Sequence, residues 1–480
     1  MVHVQSKLLP IGATCSEFVH PWTNSCLEAI AGCYLCAFVD SFRLYTTVYL
    51  LALLMKRKVP NKKDLKRTIT GIIQSTAFLS GTGFGYSFFL CTLRKLLGNF
   101  NFLTVSAAPA FLASVFAILI ERPSRRLLLC LYVSNVATET VWNMAVSRRI
   151  LHPVKHGSIT IFSVCMAVLL MYYKNGLHKD KNGKDDSMFG ILRFIVGPYE
   201  EKQYTARSNL SETFHRDQIN DPVTSGGGSW RPSTTSHSTY HVVTQALRVY
   251  KRLINKIKCL DRHVACSHPF SCVYYVAQGA STMFGLGLSI QLILNTLLNF
   301  KKLFTSPNTA VNSILFRKKN LSLALFLGGF SGVFRAVCCI LRRGTGVDSP
   351  YHAIPAGLLA GISFRHYPDT TVALYVLWKM AQITYSLGID KGVLPQVPGF
   401  TIFLYCLSTA ILFHAALLEP SNLRPSYWKF LHTISAGRIA SMNRIPLDVW
   451  GLETSRQVLE VLKATNTEPV VKYYGGFRCS

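Results

Sequence analysis

Long apolar runs separated by short basic loops dominate the chain. They lie at 29–54, 70–96, 103–120, 127–146 and 159–173, and, after a polar gap, at 270–299, 320–341, 353–366, 370–388 and 400–418. A straight bilayer span needs about 20 apolar residues, with ~17 as a lower limit, so most of these runs read as transmembrane helices. Runs 159–173 and 353–366 are short and suit tilted or re-entrant helices. Run 29–54 follows Glu28 and holds Asp40 and Arg43, which suits a partly interfacial helix. Between the two sets, 174–265 is different: a Lys/Asp run at 178–186 and a Gly/Ser/Thr-rich run at 224–238. Such residues bury too little apolar surface to offset ordering entropy. This stretch reads as a mostly disordered linker with short helices near 189–196 and 242–257.

The two sets of runs match each other. His20-Pro21-Trp22 with Ser25-Cys26 returns as His268-Pro269-Phe270-Ser271-Cys272, and Phe78-Leu79-Ser80-Gly81 as Phe326-Leu327-Gly328-Gly329. Leu93-Arg94-Lys95 returns as Leu341-Arg342-Arg343, Pro109-Ala110 as Pro355-Ala356, and Thr160-Ile161-Phe162 with Cys165 as Thr401-Ile402-Phe403 with Cys406. The separation shrinks smoothly from 248 at His20/His268 to 241 at Thr160/Thr401, so the matches stay collinear. The fold class expected is an all-α membrane protein of two tandem repeats, four to five transmembrane helices each, joined by a polar, partly disordered linker. The divisions are an N-terminal repeat at 1–197, a linker at 198–258, a C-terminal repeat at 259–451 and a tail at 452–480. Small residues recur in register: Gly81 and Gly85 against Gly328 and Gly332, with Gly357 and Gly361 spaced by four. They suit close helix packing, within the chain or in a homo-oligomer.

Composition agrees. Charged residues are 15% and hydrophobic residues 49%, against about 25% charged in a soluble domain. The net charge of +28, from 51 Lys+Arg against 23 Asp+Glu, raises nucleic acid as a partner. The cations instead flank apolar runs, as at Arg122, Arg125 and Arg126, where they face anionic headgroups. Membrane lipids are the expected partner, and nucleic acid is not. Residues 1–22 lack the basic-then-apolar pattern of a secretory signal peptide, so none is expected.

Several stretches resemble a known family: Leu192-Arg193-Phe194-Ile195-Val196-Gly197, His352-Ala353-Ile354 with Ala356-Gly357, Leu423-Arg424-Pro425-Ser426-Tyr427-Trp428, and Met442-Asn443-Arg444 with Leu447-Asp448-Val449. These resemble the transmembrane protein 135 family, over about 16–451. More distantly the chain is similar to four-span subunits of the mitochondrial inner-membrane translocases and to small peroxisomal membrane proteins. The resemblance implies a membrane protein of mitochondria and peroxisomes. It also implies roles in mitochondrial fission through a dynamin-related GTPase, in peroxisome organisation, and in lipid or sterol handling. It carries no catalytic residues.

Two groups of residues are candidates for chemistry. Cys259, His263, Cys266, His268 and Cys272 place five metal-ligating side chains within fourteen residues, and Cys15, His20 and Cys26, followed by Cys33 and Cys36, echo them. Thiolate and imidazole at such spacing can close a tetrahedral zinc site. The spacing matches no standard finger, and a reduced or acylated juxtamembrane cluster is the other reading. The second group is intramembrane and polar. Asn135, Glu139 and Asn143 are spaced by four on one helical face, and Lys379 and Gln382 by three on another. Charge within lipid needs a partner or a wet cavity, so these five residues are expected to form a polar seam where the repeats meet. The seam would bind a headgroup or tie the halves together. No HExxH, GxSxG, Walker A or dinucleotide fingerprint occurs. A non-enzymatic protein is expected, with no cofactor.

Overall fold

The computed structural model describes residues 9–55, 61–177, 186–201, 237–299, 320–468, 473–474 and 477–478. Most of the stretch read as a linker, 202–236, lies outside the described residues. The first half forms α1 (Cys15–Phe18), α2 (Cys26–Met55), α3 (Lys62–Leu97), α4 (Ala107–Ile120), α5 (Pro123–Ser147), α6 (Gly157–Lys174) and α7 (Ser187–Val196). After α8 (His237–Lys258) come α9 (Cys272–Leu298), α10 (Asn320–Thr345), α11 (Ala353–Gly361), α12 (Thr370–Asp390) and α13 (Phe400–Leu418). The remainder holds α14 (Pro425–Ile434), α15 (Arg438–Ser441), α16 (Thr454–Thr465) and a two-residue hairpin pairing Tyr473–Tyr474 with Phe477–Arg478.

Local chemistry sets the ends of these helices. The Asn61 side chain accepts from Lys62 N–H to cap α3, and Gly98, at φ +70°, closes it. Pro123 and Pro425 open α5 and α14, where the missing N–H costs nothing. Asp369 accepts from Val372 N–H to start α12.

Among the described residues, five helices combine the length and apolarity of a membrane span: Cys26–Met55, Gly157–Lys174, Cys272–Leu297, Leu321–Thr345 and Phe400–Leu418. The four to five spans read in each half are therefore met on this basis by two in the first half and three in the second. The reason lies in two places. Run 103–120 folds as a 14-residue helix and run 353–366 as a 9-residue helix followed by a 3-10 turn. At 1.5 Å per residue these reach about 21 and 14 Å, short of the ~30 Å hydrocarbon core. α3, α5 and α12 are long enough but more polar; α3 carries Gln74, Ser75, Thr76, Ser80 and Thr82.

The helices form two compact units, Met1–Val154 with Gly392–Ser480, and Lys155–Lys391. In unit 1, α3 packs on α2 and α4, and α13 packs on α4 and α5. In unit 2, α10 packs on α9 and α11, and α6 packs on α11 and α12. The fifth helix of each half thus lies in the unit built from the other half's first four. The compact divisions fall at 154/155 and 391/392 rather than at 197, 258 and 451.

The small residues explain how α6 docks. A Cβ on Gly357 would lie 2.6 Å from Ala167 Cα, and one on Gly361 2.5 Å from Ser163 Cα, so these two glycines let α11 rest on the α6 backbone. Gly328 and Gly332 receive α9 in the same way, at Phe284 and Ala280, and Gly85 receives Ala113 of α4. Gly81 has only Ile120 within 3.6 Å and is not tightly packed.

Candidate functional site

In each unit, three cysteines and one histidine converge at one end of a helical hairpin. In unit 1 they are Cys15, His20, Cys26 and Cys91; in unit 2, Cys266, His268, Cys272 and Cys339. Within each group every ligand atom lies within 4.8 Å of the others. Cys26 and Cys272 open α2 and α9, whereas Cys91 and Cys339 sit near the ends of α3 and α10. The first two members of each group come from the segment leading into the hairpin.

That lead-in segment is held firmly in unit 1. Thr14 and Glu17 form a capping box at α1. Ile11 pairs with Phe100 through two backbone hydrogen bonds of 2.8 and 2.9 Å. Arg94 donates to the carbonyls of Ala13 (2.8 Å) and Gly12 (3.0 Å). In unit 2, His268 stacks on the Tyr275 ring at 4.4 Å.

The histidines are oriented alike. His20 Nδ1 lies 2.8 Å from the Thr23 carbonyl oxygen, and His268 Nδ1 lies 2.6 Å from that of Phe270. A carbonyl only accepts, so Nδ1 carries the proton and Nε2 offers its lone pair to the thiols. Nε2 of His20 is 3.3 Å from Cys26 Sγ, and Nε2 of His268 is 3.5 Å from Cys339 Sγ. Cys266 Sγ and Cys272 Sγ are 3.7 Å apart. The thiol of Cys91 donates to Cys15 and pulls it down to about 5; Cys339 does the same for Cys266, pulled down to about 4. One thiol of each group is thus held as a thiolate at neutral pH by its neighbours.

The structure therefore keeps Cys266, His268 and Cys272 of the sequence-derived set together and adds Cys339 from 67 residues further on. Cys259 is exposed and His263 lies outside the group. In the N-terminal set Cys91 joins, and Cys33 instead lines a cavity. The signal for the two additions was present: Cys91 and Cys339 are 248 apart, as are His20 and His268.

That cavity, of about 150 Å³, lies within unit 1. Its walls are mostly aromatic and aliphatic, with Tyr45, Phe78 and Tyr86 from one half of the sequence and Tyr405, Phe413 and Leu417 from the other. Thr82, Gly83 and Ser87 of α3 give it room, and His20 and Cys91 reach it from the cysteine cluster.

The polar seam residues find partners inside their own units. Glu139 pairs with Arg424, and Asn143 donates to the Asn422 carbonyl at 3.1 Å. Lys379 donates to Asp186 and Gln382, both at 2.7 Å. Asn135 is 2% exposed. Arg424 and Asp186 occupy the cap positions of α14 and α7. In both units, a residue on the fourth helix of one half thus meets the cap of a short helix from the other half, with the charges reversed. Sequence reasoning missed a third charged group, in unit 2, in which Arg342, Glu200 and Lys174 are buried and Asp348 is partly exposed. There Arg342 grips Glu200, while Lys174 (2.6 Å) and Arg342 (3.0 Å) both bind Asp348.

Helices of this length and apolarity, with buried charges paired in their interior, define a multi-pass helical membrane protein. Residues 12–146 match the model of the N-terminal cysteine-rich region of Transmembrane protein 135, which supports the resemblance to the transmembrane protein 135 family. The matched span holds the whole Cys15, His20, Cys26 and Cys91 group. No solved structure matches the chain.

Proposed function

We propose that this chain is a non-enzymatic organelle-membrane protein regulating mitochondrial fission and peroxisome organisation, and that it senses lipid by enclosing an apolar chain in the unit 1 cavity. The family match and the apolar helices support the membrane setting, and the organelles follow from the resemblance alone. In this reading the chain is a duplication whose fifth helices have changed places. It sits in mitochondrial and peroxisomal membranes, and a dynamin-related GTPase is its partner in fission.

The observation that carries the lipid arm is the cavity itself. A dry apolar cavity of this size takes up a small apolar group, and the end of an acyl chain or sterol is one. Both sequence halves supply its walls, so occupancy bears on how α13 packs against α3. The same observation favours a second reading, a lipid conduit at the junction of the repeats.

Reconstitution into liposomes with photoactivatable fatty acids and sterols tests both. Lipid sensing expects crosslinks on α3 and α13 that disappear in Thr82→Phe, with no lipid moved between leaflets. Transfer between leaflets that Thr82→Phe abolishes favours the conduit. Crosslinks equally strong in Thr82→Phe overturn both. In cells lacking the protein, Thr82→Phe at normal abundance should fail to restore mitochondrial and peroxisomal morphology.

A further inference from the structure

We propose that each unit holds one zinc ion in a closed tetrahedral site, bound by Cys15, His20, Cys26 and Cys91 in unit 1 and by Cys266, His268, Cys272 and Cys339 in unit 2. Zn–S bonds of ~2.3 Å and Zn–N bonds of ~2.0 Å make a tetrahedron with edges of about 3.5–3.8 Å. Of the donor separations given above, 3.5 and 3.7 Å are such edges and 3.3 Å is slightly shorter. With all four donors inside 4.8 Å, the space suits a single ion rather than an iron–sulfur cluster, whose two or more irons spread their ligands further apart.

The histidine orientation is what a metal requires. A ligating imidazole usually donates its other N–H to a carbonyl or carboxylate, which fixes the tautomer. Both copies do this with a carbonyl two or three residues downstream. The donor set favours zinc, since thiolate-rich tetrahedral sites are its characteristic setting.

Neither thiol alternative accounts for the arrangement. A disulfide leaves one thiol over in each group of three, with a histidine aimed at nothing. Acylation needs an outward-pointing sulfur, and Cys91 and Cys339 are 7% and 6% exposed. Four protein ligands leave no open position, so the ions are structural. Each fastens its lead-in segment across the mouth of a helical hairpin (α2–α3 or α9–α10).

The full chain, purified in detergent without chelator, is assayed for metal by mass spectrometry. Two zinc ions per chain are expected. Cys91→Ser and Cys339→Ser should each keep one, and the double variant none; Cys33→Ser and Cys259→Ser should keep both. If the ligand variants fail to accumulate, the wild-type chain decides. Its six ligand cysteines should resist alkylation until a zinc chelator is added, and then react as zinc is released. Cobalt loaded in place of zinc should show thiolate charge-transfer bands and the intense visible bands of a tetrahedral site. A metal-free wild-type chain whose ligand cysteines alkylate at once overturns the proposal, as does zinc retained in the double variant. Thr82→Phe should keep both ions, so failure here is distinguishable from failure of the lipid reading.

Discussion

The two units share a helical plan and a cysteine cluster, yet they differ in where they leave space: the apolar cavity of unit 1 is matched in unit 2 by packed side chains, and the cavity of unit 2, of about 360 Å³, lies instead against Arg193, Tyr199, His268 and Arg335. In the register that aligns Phe78 with Phe326 and Cys91 with Cys339, Thr82, Gly83 and Ser87 of the cavity wall match Phe330, Ser331 and Arg335. Phe330 joins an aromatic stack in which Phe162 lies on Phe364 at 4.2 Å and 6.1 Å from Phe330. Arg335 lies over the Tyr275 ring at 4.6 Å and donates to the Tyr275 carbonyl at 3.2 Å. It needs Gly279 beneath it, where a Cβ would lie 2.2 Å from the guanidinium. A few side chains on one helix thus decide where the same scaffold encloses space.

The largest expected effect comes from the network of Glu200, Arg342, Lys174 and Asp348 in unit 2, which among the described residues has no counterpart around Arg94, the matching position of unit 1. Arg94, the match of Arg342, donates to two backbone carbonyls and lies over the Phe100 ring, whereas Arg342 grips a buried carboxylate. Glu200→Gln leaves Arg342 short of countercharge in the interior, and unit 2 should lose about 3–5 kcal/mol. Limited proteolysis across a thermal ramp should show α9–α12 cut well before α2–α5. Equal loss in both units would show that they do not differ in this way.

Next is Phe330→Thr, which gives unit 2 the unit 1 side chain. The deletion should cost about 2–4 kcal/mol and create a site that binds an apolar photoprobe absent from wild type. The reverse change, Thr82→Phe, should alter the melting midpoint little, by under ~1 kcal/mol, because the ring enters existing space. Loss of lipid crosslinking without loss of stability is the informative pair of outcomes; a large destabilisation would mean the cavity is smaller than its walls indicate.

The smallest effect concerns pH. Burial alone would raise the Asp348 carboxyl, but Arg342 and Lys174 outweigh it and hold the group below the usual carboxylate range. Its contribution is therefore present in full above the unfolded-state value near ~4 and is lost as pH falls through the lower folded value. The melting midpoint of unit 2 should drop from pH 5 to 3 in wild type and drop less in Asp348→Asn. Parallel curves would remove Asp348 from the account.

Much of this was readable in the chain because it rests on local pattern. Apolar runs set the helices, and the collinear matches between Leu93-Arg94 and Leu341-Arg342 already aligned the hairpins that carry Cys91 and Cys339. What misled was nearness in sequence. Cys259 and His263 lie close to Cys266 but at the far side of a turn after α8, whereas Cys339 returns along α10 to the place where α9 began. The exchange of α6 and α13 was hidden for a different reason. The two helices carry the same Thr-Ile-Phe and cysteine pattern, so their apolar surfaces do not tell one docking site from the other; the partners of Glu139 and Lys379, Arg424 and Asp186, follow from that exchange.

The exchange also imposes an order on manufacture. α6 leaves the ribosome before α11 and α12, the helices it rests on, have been made. At about 5–20 residues per second, it waits roughly 10–40 s for them. The bundle begun first is finished last, since α2–α5 stay incomplete until α13 arrives. A chain terminated between α12 and α13 would therefore strip a helix from the earlier bundle while leaving the later one with its full set, so the damage would fall upstream of the lesion. Neither half can be inherited, expressed or lost by itself.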